Sequence, residues 1–283
     1  MKRLKSYLRM IKIEHSLFAL PFALSAMFLA ADGFPSVWIF VWIFVCMVAA
    51  RSAAMGINRW ADAEIDARNP RTAEREIPAG KISKQTALIF ILASFVLYFT
   101  ACAMLNRLTL LLSPLPILIF IIYAYSKRFT VFCHLILGLA LGLAPLGAWI
   151  AVSGSFDTRI LLLGIGVMFW ACGFDILYAL QDIQIDRKEG LYSIPAFLGV
   201  RASMLLARGL HGLALLLFFA HGWYFGLGWL YFTGFALSAV LLIYEHRLVI
   251  IYGTAKLDTA FFNMNALLSV ILFLATSLDI FVK

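Results

Sequence analysis

The feature that most constrains this chain is the recurrence of apolar stretches of about 20 residues, the length a helix needs to cross the hydrocarbon core of a bilayer. They follow one another along most of the 283 residues. With 63% hydrophobic and 13% charged residues, a soluble domain of this size could not hide its apolar surface, so lipid is its solvent. The expected fold is an all-α, multi-pass membrane bundle, one domain over residues 1–283, with no soluble domain and no low-complexity tract. Nine transmembrane helices are predicted over 15–32, 37–57, 86–104, 108–124, 131–152, 160–181, 204–221, 224–244 and 261–281. Pro114 and Pro116 fall inside the fourth, where a membrane helix tolerates a break better than a soluble one.

Charge sets the orientation. With the N-terminus in the cytoplasm, all but three of the 23 Lys and Arg lie on the inner side, and only Arg107, Arg159 and Lys283 lie outside. The basic start, with Lys2, Arg3, Lys5, Arg9 and Lys12 before an apolar run, also has the form of a cleaved signal peptide ending near Ala30 and Ala31. Cleavage would discard a proline-bearing helix that has a counterpart later in the chain, so it is read as the first span. The two long inner loops, Asn58–Gln85 and Asp182–Ser203, are rich in charge, and polar function belongs there. The four cysteines stand singly in apolar segments with no CxxC pair, as small core residues do.

An offset of 124 residues takes Pro21 to Pro145, Arg51 to Asp175, Asn58 to Asp182 and Asp62 to Asp186. This predicts a parallel pseudo-repeat of four helices, with the second and sixth as equivalents.

Those two helices end in acidic clusters. Asn58, Asp62 and Asp66 are spaced i, i+4, i+8, so on a continuing helix they share a face and aim three oxygens the same way. Asp175, Tyr178, Asp182 and Asp186 form the second cluster, in DILYALQDIQID. Like charges at i, i+4 repel unless a cation bridges them. Hard cations such as Mg²⁺ take oxygen ligands and share them with substrate phosphates, so two acidic faces plus metal make a diphosphate clamp. The bland alternative is a pair of solvated helix ends. Arg71 and Arg75 in NPRTAEREIPAG, Lys127 and Arg128 after Tyr123, and Arg187 and Lys188 could contact phosphate oxygens, although positive-inside topology alone would place basic residues there.

Arg51 lies two helical turns, about 10 Å, deeper than Asn58 on the same face, and a charge at that depth is functional or paired. It either holds an anionic group of a substrate or pairs with Asp175 at the corresponding depth.

These motifs resemble the UbiA family of intramembrane aromatic prenyltransferases: NxxxDxxxD at Asn58 to Asp66, RTAxR at Arg71 to Arg75, YxxxK at Tyr123 to Lys127, and DxxxxxxDxxxD at Asp175 to Asp186. The resemblance covers nearly the whole chain. It implies nine helices around a central cavity open sideways to lipid, with Mg²⁺ on Asn58, Asp62, Asp66, Asp182 and Asp186. It implies catalysis by the five aspartates, and substrate contacts from Asn58, Arg51, Arg71, Arg75, Tyr123, Lys127, Arg128, Tyr178 and Lys188. The implied partners are a polyprenyl diphosphate, an aromatic acid and the bilayer, with no nucleic acid, in a cell inner membrane with the active site facing the cytoplasm. Within the family the details are most similar to members that prenylate 4-hydroxybenzoate for quinone biosynthesis. Arg59, where many members carry Asp, and the run GLYSIPAFLG from Gly190 to Gly199 also resemble a branch acting on a hydroxynaphthoate for menaquinone.

Two rival classes fit the sequence less well. A secondary transporter also has repeats and intramembrane charge, but gathers polar groups near the midplane. A CDP-alcohol phosphotransferase would carry Asp-Gly repeats that are absent here.

Overall fold

The computed structural model describes residue 7, residues 9–253, residue 257 and residues 259–282. Of the basic residues used for orientation, Lys2, Arg3, Lys5, Lys256 and Lys283 lie outside the described residues. The described chain is helical: α1 (Leu20–Ala31), α2 (Val37–Ala61), α3 (Ala63–Arg68), α4 (Lys84–Leu105), α5 (Arg107–Leu112), α6 (Pro114–Ser126), α7 (Cys133–Ser153), α8 (Ile160–Ala179), α9 (Ile183–Lys188), α10 (Ile194–Tyr224), α11 (Trp229–Tyr252) and α12 (Asn265–Val282). Polar caps set several starts: the side chains of Ser36, Ser83, Asn106 and Ser193 accept from the backbone N–H three residues on.

Eight helical stretches among the described residues are long and apolar enough to span a bilayer, against nine predicted. The difference is the first. A short 3₁₀ helix over Ile13–Phe18 turns at Ala19 into the 12-residue α1, too short to cross fully at 1.5 Å per residue. The predicted fourth helix is interrupted at Ser113, between Leu112 and Pro114, because proline lacks the N–H to continue the ladder. The seventh starts ten residues early, at Ile194, and is kinked at Gly199, whose φ of 77° suits glycine.

The core is made by close helix approach. A Cβ on Gly138 would clash with Met168 O, and one on Gly142 would lie 2.5 Å from Gly164 O, so α7 and α8 pack backbone to backbone, as small residues permit in membranes. α8 lies centrally, with Val167, Trp170 and Phe174 buried against Phe18, Phe22 and Phe218. The outer surface carries exposed Leu, Ile, Val and Phe along α4, α10 and α11, as lipid contact requires. Exposed Trp38, Trp223 and Trp229 mark the end opposite the acidic clusters, where interfacial aromatics sit.

Both acidic helix ends are interrupted at an aspartate, Asp62 (φ −91°, ψ 3°) and Asp182 (φ −99°, ψ 0°). These kinks are 120 residues apart, whereas the 124-residue offset pairs Asp62 with Asp186, one helical turn further on. The two prolines of that offset also differ in role: Pro21 opens α1 and Pro145 lies inside α7.

Candidate functional site

The N-terminal acidic face survives the kink. Asp62 N–H donates to Asn58 O (3.0 Å) and Asp66 N–H to Asp62 O (2.8 Å), so the i, i+4, i+8 spacing is kept. Asp62 is 1% exposed and Asp66 4%, and buried carboxylates need partners. Asp62 accepts from Lys127 Nζ at 2.8 Å and Arg128 Nη2 at 3.0 Å. Arg128 is itself fixed by the carbonyls of Ala61 and Ala124. Asp66 takes Arg75 Nη1, 2.7 Å from both oxygens.

The loop after α3 joins the clusters. Asn69 Oδ1 accepts from Arg71 N–H (3.0 Å), and Thr72 and Ala73 N–H bond back to Asn69 O, a side-chain-closed turn of the kind Asn favours. That turn aims Arg71 across to Asp182, which it grips by two bonds, Nε to Oδ1 at 3.1 Å and Nη2 to Oδ2 at 2.7 Å. Its Nη1 donates to Tyr178 Oη at 3.4 Å, and the guanidinium lies 5.7 Å from that ring's centroid. Burial disfavours the charge on Arg71, but the Asp182 carboxylate, with Tyr178 and Asp66, outweighs it and the pKa is raised. Arg68 pairs with Glu189 at 2.7 Å. Asp186 is met by a hydroxyl, with Ser193 Oγ donating to Oδ2 at 2.7 Å. Both acidic ends and their basic partners therefore form one cluster at one end of the bundle.

An apolar cavity of about 240 Å³ lies deeper, lined by Arg51 and Tyr123 and, further in, by Cys46, Leu105 and Pro116. His15 and Ser16 also line it; neither was singled out from the sequence, because a polar pair beside a basic N-terminal segment carries no spacing signal.

Three placements complete the site. No Arg51–Asp175 ion pair forms among the described residues; Asp175 is held by His134 Nδ1 at 2.6 Å, a partner missed because 41 residues separate the two. Lys188 is exposed and makes no ion pair among the described residues. Arg59 is buried, is not among the cavity-lining residues, and donates Nε to Met10 O at 3.3 Å; it anchors the N-terminal segment.

No three His, Cys, Asp or Glu among the described residues converge as a ready-made metal cage. The donor set nonetheless fits a hard cation: it is all carboxylate and amide oxygen, and Mg²⁺ is commonly held by one or two carboxylates plus substrate phosphates. Fold and site together define a multi-pass membrane protein with a carboxylate and guanidinium cluster above an apolar cavity.

The UbiA prenyltransferase family matches the chain over residues 19–267, and the chain belongs to that family; it is a membrane prenyltransferase. It is 30% identical to a 4-hydroxybenzoate octaprenyltransferase of Citrobacter koseri, over 90% of this chain and 87% of the relative. The structure of a UbiA homolog from Aeropyrum pernix K1 superposes with a TM-score of 0.86 at 33% identity, covering 94% of this chain and 98% of that one. A UbiA homolog from Archaeoglobus fulgidus, bound to GPP and Mg²⁺, shares the fold at a TM-score of 0.70 and 20% identity, covering 96% and 99%. Membership sets the transporter and phosphotransferase readings aside.

Proposed function

We propose that this chain moves a polyprenyl group from its diphosphate to the ring of an aromatic acid, with 4-hydroxybenzoate as acceptor, in quinone biosynthesis. The observation that carries the reading is that Arg51 and Tyr123 line an apolar cavity beneath a cluster of four aspartates, three of them ion-paired to basic side chains. The cavity suits a prenyl chain, the cluster a diphosphate and Arg51 a carboxylate. The whole chain, 1–283, acts as one domain in a cell inner membrane, with the cluster on the cytoplasmic side as the basic residues direct.

Asn58, Asp62, Asp66, Asp182 and Asp186 would hold Mg²⁺ shared with the substrate. When bound there, the ion supplies neutralisation of the leaving diphosphate. Arg71, Arg75, Lys127 and Arg128 then exchange a carboxylate partner for phosphate oxygens, with Tyr178 steadying Arg71. Loss of diphosphate leaves an allylic cation, which the electron-rich ring carbon beside the phenol attacks. The apolar cavity keeps water from that cation.

The test is transfer by the purified protein in lipid nanodiscs, with Mg²⁺, mixed prenyl diphosphates and either 4-hydroxybenzoate or a hydroxynaphthoate, read by mass spectrometry. Prenylated 4-hydroxybenzoate is expected. Product from the hydroxynaphthoate alone would move the acceptor to the menaquinone type, and no ring product from either would refute the reading.

A further inference from the structure

Between the cavity and the acidic cluster lies a pair of side chains that the reading above leaves unused. His134 is the second residue of α7 and is 3% exposed. Leu137, Leu141 and Ala144, at i+3, i+7 and i+10 from it, all line the cavity, so His134 is the next position on that stripe of the helix. Its partner Asp175 precedes Asp182 by seven residues, about 10 Å along a helix. Neither side chain lines the cavity itself; the pair stands at the end of that lining stripe, about two helical turns below Asp182.

His134 has little freedom there, because Gly138, one turn on, abuts the backbone of Met168 and Cys172. Its Nε2 is buried with no hydrogen-bond partner. The ring holds a proton on Nδ1 and donates it to Asp175 Oδ2 at 2.6 Å, a bond that does not need Nε2. One oxygen of Asp175 is thereby held. The other, Oδ1, has no hydrogen bond among the described residues, and the side chain keeps 18% of its surface accessible.

We propose that Asp175 accepts the proton released from the acceptor ring, and that His134 positions it; this rests on the aromatic transfer proposed above. The allylic C–O bond breaks with its electron pair going to the diphosphate, and the ring carbon forms the new C–C bond, leaving one positive charge on the ring. The C–H bond at that carbon then breaks. Its pair restores aromaticity and its proton goes to Asp175 Oδ1, while His134 keeps its own proton on Nδ1. Water or the departing diphosphate takes the proton from the carboxylic acid and resets the site.

The experiment uses the full chain in nanodiscs with Mg²⁺, geranyl diphosphate and 4-hydroxybenzoate, with and without deuterium on the ring carbons beside the phenol. His134→Leu should lower transfer by ~100-fold, the scale of general-base catalysis, and raise the ring-deuterium isotope effect above that of the wild type. Release of diphosphate without acceptor should fall far less. His134→Asn, whose amide can donate from near the Nδ1 position, should recover most of the rate, and Asp175→Asn should repeat the leucine pattern. An unchanged isotope effect in these variants, or diphosphate release falling in step with transfer, would mark the pair as a clasp between α7 and α8 and overturn the assignment. A wild type that prenylates no acceptor would overturn the proposed function as well; normal wild-type transfer with those variant results overturns this step alone.

Discussion

Asp62 is the most enclosed carboxylate of the cluster, and two cations meet it. Removing one partner of a buried ion pair costs roughly 3–5 kcal/mol, yet the same grouping is what a diphosphate would reorganise. Asp62→Asn and Asp182→Asn, near-isosteric, should each cut turnover by at least ~100-fold, as losses of preorganised electrostatic groups do, with the protein still folded by size-exclusion chromatography. EDTA should abolish activity and Mg²⁺ restore it. Retained activity in EDTA argues against a metal role. Arg51 belongs to a different partner. Arg51→Lys keeps charge and loses the two-pronged grip on a carboxylate, so the acceptor KM should rise by ~10-fold, the worth of one charged hydrogen bond of about 1.5 kcal/mol. The KM for the prenyl diphosphate should hardly move; equal changes in the two would reject the assignment.

At the scale of elements, the site depends on how closely α7 and α8 pass. The α8 backbone reaches that distance only because Gly138 and Gly142 present no side chain. Gly138→Ala and Gly142→Ala should each destabilise the detergent-solubilised protein by about 1–3 kcal/mol, the usual cost of overpacking. Gly209→Ala on α10, where a Cβ meets nothing within 4 Å, serves as the control and should melt as the wild type does. If all three alanine variants melt together, backbone contact is not what sets this crossing. The two acidic helix ends bend at Asp62 and at Asp182.

At the scale of the molecule, the ion pairs Arg71–Asp182, Arg68–Glu189 and Lys127–Asp62 join segments more than 60 residues apart. A ligand that bridges both acidic ends should therefore stabilise the whole bundle. A non-hydrolysable prenyl diphosphate with Mg²⁺ at 100 times its Kd should add about 2.7 kcal/mol by linkage, read as a higher melting temperature. The Asp182→Asn variant should lose most of that gain. A shift equal in variant and wild type would place the ligand elsewhere.

The spans, the acidic faces and the basic residues near them were legible because each is a local pattern: hydropathy over about 20 residues, oxygens at helical spacing, charge biased to alternate loops. The bend at Ala19 and the kink at Gly199 were not, since neither carries a strong local signal. Pro114 with Pro116 did mark the break between α5 and α6. The sequence by itself thus determined a helical membrane protein with two acidic helix ends and a deep arginine. Only the tertiary structure decided which charge meets which. Asp175 found His134, Asp182 found Arg71 and Arg59 turned to Met10, because ion pairing falls off with distance in space, and separations of 41, 111 and 49 residues leave no trace in a local pattern.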